Sequence, residues 1–296
     1  MSDICHLPKA ETLKDYQSIL FPYAYNILGS SEDAKDAVQD VLYKYLASPR
    51  EGIENEKNYL IRSVINQSIN IKKSKKKIAS GDVWLPEPIA TEKADTNIHL
   101  SDIVTYSLMV LMEQLNPKER AVFILKEGFG YSHEEIAGLL SGTVESSRKL
   151  LSRAKTKLDT PHPVRPQQPT PFPKDLLEKF VHSIHDGDTR TLETLLTDDI
   201  KYYADGGEKI KVLRKFTIGQ KEVADLLLLV HQRFHRKASL VYAMVNHQPA
   251  FLYYHGDKLF QCQVFSITED GSRISQIDNV IDPEKLKAIS SSFADE

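Results

Sequence analysis

A proline-rich segment at residues 160–173 divides this sequence into two parts of different pattern. Six prolines fall within it, and because proline fixes φ and lacks a backbone N–H, the segment favours an extended, semi-rigid linker. Before it, apolar residues recur at helical steps of three and four; after it, helical segments give way to strand-like runs. At 296 residues, the sequence therefore predicts several domains rather than one.

Residues 132–158 have the pattern of two short helices joined by a turn. Ser132 and Thr143 are candidate N-caps, Glu135 completes a capping box, and Gly142 is expected to supply a positive φ in the turn. The second helix carries an apolar stripe at Val144, Leu151, Ala154 and Leu158. Its opposite face is polar and cationic, with Ser146, Ser147, Arg148, Lys149, Ser152, Arg153 and Lys157. The pattern favours a helix-turn-helix whose second helix enters a DNA groove, although a solvated helical hairpin has the same composition.

The formal net charge of −3 does not by itself indicate a nucleic-acid-binding protein, but the charges are clustered. One cationic block consists of Lys72, Lys73, Lys75, Lys76 and Lys77. No apolar run approaches the roughly 20 residues of a membrane span, and the N-terminus has no signal-peptide pattern. Cys5 and Cys262 are too far apart in sequence to suggest a disulfide framework or a metal site. These features predict a reduced, cytoplasmic protein with no membrane partner.

Three helices are predicted in the first 77 residues, at about 11–28, 30–46 and 58–77, and the third ends in the lysine block. Pro22 interrupts the first, and Gly29 ends it. In the third, the side chains of Tyr59, Leu60, Val64 and Ile71 are expected to pack inward. Asparagine and glutamine side chains beside the lysines are suited to base edges, while lysines neutralise phosphates.

Four motifs then occur in a common order: LGSSEDAKDAVQD (28–40), NYLIRSVINQSIN (58–70), LNPKERAVF (115–123) and YSHEEIA (131–137). In this order and spacing, the chain resembles an extracytoplasmic-function (ECF) sigma factor of the sigma-70 family of bacterial RNA polymerase. The resemblance implies a first all-α domain at 1–80, which binds the polymerase clamp and the −10 promoter element. It implies a second all-α domain at 103–159, which binds the −35 element and the polymerase flap.

The resemblance also implies roles for individual residues. The polymerase-binding residues would be Asp33, Asp36, Gln39 and Asp40. The residues at the −10 element would be Arg62, Asn66, Asn70, Lys72 and Lys73. The residues at the −35 element would be Thr143, Glu145, Ser146, Ser147, Arg148, Lys149 and Arg153. A sigma factor carries out no covalent chemistry, so no catalytic residue, cofactor or metal is expected.

After the proline-rich linker, helices near 176–184 and 192–196 precede strand-like runs at 200–204, 239–245, 250–254, 258–268 and 273–280, with a helix at 219–234. Helices followed by strands predict an α+β domain at 174–296. This order resembles the SnoaL-like, or nuclear transport factor 2-like, cone. The linker at 81–102 contains Trp-Leu-Pro-Glu-Pro, which also resembles the sigma-factor subgroup that has a fused SnoaL-like domain.

In that subgroup the C-terminal domain is expected to regulate the sigma domains in cis. The segment 205–209 resembles the subgroup's Asp-Gly-Gly-Gly-Lys loop, from which Glu208 departs, and 282–286 resembles its Asn-Pro-Asp-Lys-Leu motif, from which Asp282 and Glu284 depart. The residues predicted to make regulatory interdomain contacts are Trp84, Pro86, Asp205, Gly206, Gly207, Lys209, Asp282, Pro283 and Leu286. Asp-Gly-Gly is also a common turn sequence in any protein.

Two rival hypotheses remain open on the sequence. The chain could be a helix-turn-helix repressor whose SnoaL-like domain senses a small ligand, but the acidic second helix argues against it. The C-terminal domain could also be enzymatic, with His182, His185, Asp205 and Asp278 as candidate bases. His182 and His185 lie three residues apart and have no apparent third ligand, so a metal site is not predicted.

Overall fold

A computed structural model describes residues 10–48, 53–76, 83–91, 100–159 and 172–293. The chain falls into two compact units, the first made of 1–80 with 94–165 and the second of 81–93 with 166–296. Within the described ranges, no helix combines the length and apolar content that a bilayer crossing requires. The proline-rich stretch before Phe172 and the lysine block beyond Lys76 lie outside the described residues.

The first unit begins with three helices, α1 (Ala10–Leu28), α2 (Ser31–Ala47) and α3 (Glu56–Lys76). Helix α1 continues through Pro22 and ends at Gly29, whose φ of 76° closes the helix. Ser30 caps α2, because its side chain accepts a hydrogen bond from the Asp33 N–H at 3.1 Å. The three helices pack against one another around α1, whose second half is buried on nearly all sides.

Helix α3 buries a stripe that differs from the expected one. Leu60 and Val64 point inward as predicted, and they are joined by Ile61, Ile65 and Ile69. Tyr59 is 42% exposed, so the prediction that it packs inward is wrong, and Ile71 is half-buried. The physical reason is that successive turns bury a pair of adjacent apolar residues, Leu60 with Ile61 and Val64 with Ile65. These pairs move the centre of the buried stripe away from Tyr59.

The described remainder of the first unit contains four more α-helices, α4 (Tyr106–Leu111), α5 (Pro117–Phe123), α6 (His133–Leu139) and α7 (Val144–Leu158). Asn116 with Glu119, and Ser132 with Glu135, each form a complete capping box. Helices α6 and α7 form the predicted helix-turn-helix. Its turn has its positive φ at Ser141 (51°) and not at Gly142, so that part of the prediction is wrong.

The second unit is an α+β domain, as predicted. Its helices are α8 (Lys174–Asp186), α9 (Thr189–Thr194), α10 (Gln220–Val230) and α11 (Pro283–Phe293). Its strands are β1 (Leu196–Asp205), β2 (Phe216–Ile218), β3 (Ser239–Val245), β4 (Gln248–His255), β5 (Lys258–Ile267) and β6 (Ile274–Val280). The sequence prediction missed β2, a three-residue edge strand whose Phe216 and Ile218 are exposed.

The six strands form one sheet in the order β2-β1-β6-β5-β4-β3. Strands β3 to β6 are an antiparallel meander, and β1 joins β6 in parallel. One face of the sheet packs on α8, α9 and α10 through an apolar core that includes Phe180, Leu227, Phe251 and Phe265. A cavity lies between β1, the loop that follows it, the end of α10 and the hairpin of β4 and β5.

Candidate functional site

Helix α7 carries the predicted DNA-binding face of the first unit. Arg148 and Arg153 are exposed, and neither forms an ion pair with a described residue. The Thr143 hydroxyl accepts a hydrogen bond from the Ser146 N–H at 3.1 Å, which fixes the start of the helix. Lys149 pairs with Glu145 at 2.6 Å on the same exposed surface. The face therefore presents two exposed guanidinium groups, which suit guanine edges and phosphates.

Ser147 departs from the prediction for this face. Its side chain is 3% exposed, and its Oγ lies 2.9 Å from Nδ1 of His133 at the start of α6. The expectation that Ser147 lies on the outer face is wrong, because its side chain faces α6 from the same side of α7 as the apolar residues. Ser147 therefore supports the angle between α6 and α7.

The predicted −10 residues line a groove between α2 and α3. The groove has a volume of about 350 Å³. Its lining residues are Val41, Lys44, Tyr45, Tyr59, Arg62, Ser63, Asn66, Gln67 and Asn70. The structure thus brings together three of the five predicted side chains beside an aromatic ring. Tyr45 also donates a hydrogen bond to Glu56 at 2.5 Å, which ties α2 to the start of α3.

The turn of the helix-turn-helix contacts this groove within the first unit. Arg62 donates from Nη2 to the Ser141 hydroxyl at 2.7 Å. Asn66 donates from Nδ2 to the Leu139 carbonyl at 3.3 Å and to the Arg62 carbonyl at 2.9 Å. Two side chains that the resemblance assigns to the −10 element are therefore hydrogen-bonded to the helix-turn-helix.

Lys72 also departs from the prediction. Its Nζ donates to the Leu28 carbonyl and to both carboxylate oxygens of Glu113, each at 2.9 Å. Glu113 also binds Arg120, which is completely buried. Although burial favours the neutral acid, the charges of Arg120 and Lys72 hold the pKa of Glu113 below its usual value. The exposure expected for Lys72 is therefore wrong, whereas Lys73 is exposed.

The four predicted polymerase-binding residues share one face of α2. Asp36, Gln39 and Asp40 are exposed, and Asp33 is half-buried. Asp33 pairs with Lys75 at 2.6 Å, and Asp40 accepts a hydrogen bond from Gln67 at 3.4 Å. The face is acidic and open, so it presents hydrogen-bond acceptors to a basic partner.

Residues 83–91 pack in the second unit, where the Trp-Leu-Pro-Glu-Pro segment meets both predicted loop motifs. The Leu85 N–H donates to Oδ2 of Asp205 at 2.8 Å, and Lys285 donates to the Leu85 carbonyl at 2.7 Å. The Lys285 ammonium also lies 4.2 Å from the centre of the Trp84 ring. We call this arrangement of Trp84, Leu85, Asp205 and Lys285 the linker contact.

The turn after β1 supports the linker contact. Asp205 accepts a hydrogen bond from the Gly207 N–H at 2.8 Å through its other oxygen, and its backbone carbonyl accepts from the Asp282 N–H at 3.1 Å. A Cβ on Gly206 would lie 2.1 Å from the Ile210 carbonyl oxygen, and Gly207 has a φ of 61°. Lys209 pairs with Glu284 at 2.8 Å on the surface. Of the other predicted regulatory residues, Pro86 and Leu286 are buried and Pro283 is half-buried.

Sequence reasoning missed two parts of this contact. Lys285 lies inside the 282–286 motif but was not among the predicted contact residues. The signal that could have found it is a lysine close to the acidic residues Asp282 and Glu284, a pattern typical of an ion pair. Further along the linker, Ala90 pairs with Val245, and the Ile89 N–H donates to the Asn246 side chain at 3.0 Å. Nothing in the sequence indicated that this stretch would extend along strand β3.

The candidate residues of the enzymatic hypothesis do not converge. His182 and His185 are exposed, and Asp205 is engaged in the linker contact. Asp278 is buried beside Gln276, and burial raises its pKa to about 7. Among the described residues, no three His, Cys, Asp or Glu side chains are grouped as a metal site would require. A cavity of about 220 Å³ in this unit is lined by none of His182, His185, Asp205 and Asp278.

Comparisons with known proteins agree with this arrangement. The family model described as "Sigma-70, region 4" matches residues 106–158. The Mycobacterium tuberculosis "ECF RNA polymerase sigma factor SigJ" is 25% identical over 73% of this chain and 70% of its own length. "Probable ECF RNA polymerase sigma factor SigI" from the same species is 23% identical over 95% of this chain and 96% of its own.

The crystal structure of the M. tuberculosis sigma factor SigJ has the same fold across both units. It superposes with a TM-score of 0.73 and 22% identity, and the match covers 95% of this chain and 99% of that one. The region 4 match, these relatives and the shared fold therefore support an ECF sigma factor of the sigma-70 family whose second unit is an α+β domain.

Proposed function

We propose that this chain binds core RNA polymerase, directs it to specific promoters and is regulated in cis by its C-terminal domain. The observation that carries the proposal is that Arg148 and Arg153 are exposed on the second helix of the helix-turn-helix, within the segment that matches region 4. Such a helix reads base edges in the major groove while its cations neutralise phosphates. Because bacterial RNA polymerase works in the cytoplasm, the chain acts there.

The −35 element lies along α7 in this proposal. Arg148 and Arg153 contact guanine edges or phosphates, and Thr143, Glu145, Ser146 and Lys149 contact the adjacent backbone or bases. Ser147 supports the helix pair from behind. Binding of this kind falls steeply as salt rises, because each phosphate contact releases condensed counterions.

The −10 element enters the groove between α2 and α3. Asn66 and Asn70 offer both donors and acceptors to a base, and Tyr59 offers a ring on which a base can stack. Arg62 and the exposed Lys73 neutralise the strand's phosphates. The acidic face of α2, with Asp33, Asp36, Gln39 and Asp40, binds a basic surface of the polymerase clamp.

The described arrangement of the first unit is a closed state. Arg62 and Asn66 are hydrogen-bonded to the helix-turn-helix, and Lys72 is held by Glu113. These groups cannot hold DNA at the same time, so the two sigma domains separate before promoter binding. Binding to core polymerase supplies the free energy that separates the two sigma domains, because the polymerase binds each domain through a different surface.

Regulation in cis passes through the linker 83–91. The C-terminal domain holds this segment by a buried ion pair, main-chain hydrogen bonds and the ring of Trp84. Because the segment connects the two sigma domains, holding it limits how far they separate. Attachment in one chain gives a high effective concentration, so moderate contacts suffice.

The C-terminal domain acts as a regulator and not as an enzyme in this proposal. Its candidate bases are scattered or engaged, while its cavity is suited to a small ligand. A repressor that works without polymerase is the second candidate function. The acidic face of α2 argues against it, because a repressor needs no polymerase-binding surface.

Run-off transcription with core polymerase on matched promoter DNA tests the proposal. The full chain is compared with a truncation after Leu158 and with Arg148→Ala/Arg153→Ala, and Arg190→Ala is the matched control. We expect promoter-specific initiation by the full chain, its loss in the double variant and no change in the control. If no form binds core polymerase while the full chain still binds DNA, the repressor hypothesis is favoured.

A further inference from the structure

We propose that the cavity of the second unit is an effector site for a compact, apolar carboxylic acid whose binding acts on the linker contact. The cavity lies between β1, the loop that follows it, the end of α10 and the hairpin of β4 and β5. The binding site rests on the cavity alone. Its effect on the linker rests on the proposed regulation in cis.

The walls of the cavity are apolar. Ala204, Val230, Phe234, Phe260 and Ile281 line a volume of about 220 Å³. Phe234, at 48% exposed, lies at the mouth, so the apolar surface extends to solvent. A volume below that of a typical drug-sized site, which is roughly 300 Å³ or more, fits a compact hydrocarbon body.

A tyrosine hydroxyl lines this apolar wall. The Tyr202 side chain is 3% exposed and borders the cavity. Its hydroxyl is not one of the fully buried, unpartnered polar atoms of the described residues, which are Thr197 Oγ1 and Thr217 Oγ1, so it is accessible from the cavity. Burial raises the pKa of Tyr202, so the phenol stays neutral and remains a donor. An oxygen of a bound ligand can accept a hydrogen bond from this phenol, and in an apolar wall such a bond is stronger than in water.

One other polar residue of the wall is already hydrogen-bonded. Gln261 accepts a hydrogen bond from Nε2 of His235 at 2.9 Å and donates to Asn279 at 2.8 Å. Burial lowers the pKa of His235 to about 4, so the ring is neutral and acts as the donor in that pair. These partners fix the Gln261 amide. The Tyr202 hydroxyl is therefore the inner donor of the cavity, whereas His255, which also lines it, is exposed.

The mouth of the cavity is cationic. Lys211 and Arg214 line it, both are exposed, and neither forms an ion pair with a described residue. The described lining contains no aspartate or glutamate. A carboxylate is therefore preferred over an alcohol or an amine, by a margin that solvent and salt reduce.

The cavity and the linker contact share backbone. Tyr202 and Ala204 face the cavity, and Asp205, the next residue, holds Leu85 from the opposite face of β1. The Ile281 N–H donates to the Asp205 carbonyl at 2.8 Å, and Ile281 lines the cavity. A ligand that moves either wall therefore moves the groups that hold the linker.

Calorimetric titration of the full chain tests the site, with 3-phenylpropionate as the acid probe and 3-phenylpropan-1-ol as its neutral analogue. We expect saturable binding of the acid at micromolar to millimolar concentration, several-fold tighter than that of the alcohol and weaker at high salt. Emission from Trp84, the only tryptophan in the sequence, should change with the same titration because Lys285 lies over its ring.

Variants separate the contributions. Tyr202→Phe keeps the ring and should weaken the acid about tenfold, the effect of one lost hydrogen bond. Lys211→Gln with Arg214→Gln should bring the acid to the affinity of the alcohol, and Lys221→Gln, on the exposed side of α10, should change nothing. No saturable binding of the acid, or binding that is indifferent to these changes, would overturn the site.

The two parts of the inference fail separately. Acid binding with unchanged Trp84 emission would overturn the effect on the linker and leave the site standing. Loss of promoter-specific transcription in every form would refute the proposed sigma function, whereas the calorimetric result on the isolated chain would be unaffected.

Discussion

The Nζ atom of Lys285 lies 2.5 Å from Oδ2 of Asp205, and both side chains are buried. The same two groups bind the backbone carbonyl and N–H of Leu85, at 2.7 and 2.8 Å. Burial lowers the pKa of Lys285, and the charge of Asp205 opposes that shift. A desolvated pair is stable only when its remaining hydrogen bonds are made, and here the linker makes them.

Asp205→Asn should therefore release the linker. Lys285 would lose its counterion in a buried site, which costs about 3 kcal/mol, and the Leu85 N–H would lose a charged acceptor. We expect lower stability in urea and faster amide exchange over 83–91 by mass spectrometry. Lys209→Gln is the control, because it breaks the exposed Lys209–Glu284 pair, which solvent screens. Equal exchange in the two variants would contradict the assigned role of Asp205.

Gly206→Ala tests whether a displaced turn after β1 also releases the linker. The added Cβ would meet the Ile210 carbonyl oxygen at 2.1 Å, so the loop after β1 must move. We expect a loss of about 2–4 kcal/mol and faster exchange over 83–91. Gly256→Ala is the matched control, because Gly256 has a φ of 58° and nothing within 4 Å of the new Cβ. It should cost about 1 kcal/mol and leave the linker's exchange unchanged.

Glu113→Gln should open the first unit. Arg120, with no exposed surface, would keep a buried charge that lacks its partner, and Lys72 would lose both of its carboxylate contacts. We expect destabilisation by about 3 kcal/mol and faster exchange in α3 and α5. Glu127→Gln, which breaks a surface pair with Lys155, should cost about 0.5 kcal/mol or less. A similar loss in both variants would show that the buried cluster does not hold the helices together.

Local rules predicted much of the first unit. The capping box at Ser132 and the apolar stripe of α7 placed helices α6 and α7 correctly, because these signals act within a few residues. Ser147 and Lys72 were misplaced for the opposite reason. Their partners, His133 and Glu113, lie on other helices, and a single sequence does not show which polar groups will meet.

In the second unit, alternation placed five strands, but it could not give their order. The parallel pairing of β1 with β6 joins residues 75 to 78 positions apart, and it places Asp205 beside Asp282 and Lys285. The resemblance named both motifs that meet there. The exchange of hydrogen bonds with the backbone of Leu85 emerged only from the structure, because any two turns can present such residues.

Asp278 lies on β6 with its carboxyl buried, and the Gln276 amide donates to it at 2.9 and 3.0 Å. Burial raises its pKa to about 7, against roughly 3.9 in an unfolded chain. Between those values the folded state keeps a proton that the unfolded state has released. The free energy of unfolding contributed by this group is therefore largest at low pH and falls as pH rises from about 4 to 7.

Asp278→Asn keeps the shape of the protonated acid and should remove this dependence. At pH 8 we expect the variant to be more stable than the parent by about 2–4 kcal/mol, while at pH 4 the two should be equal. Thermal unfolding followed by circular dichroism between these values measures the difference. Asp225→Asn, at an exposed position of α10, is the control for loss of one negative charge. If both variants shifted the melting temperature equally at pH 8, net charge and not the buried carboxyl would be the cause.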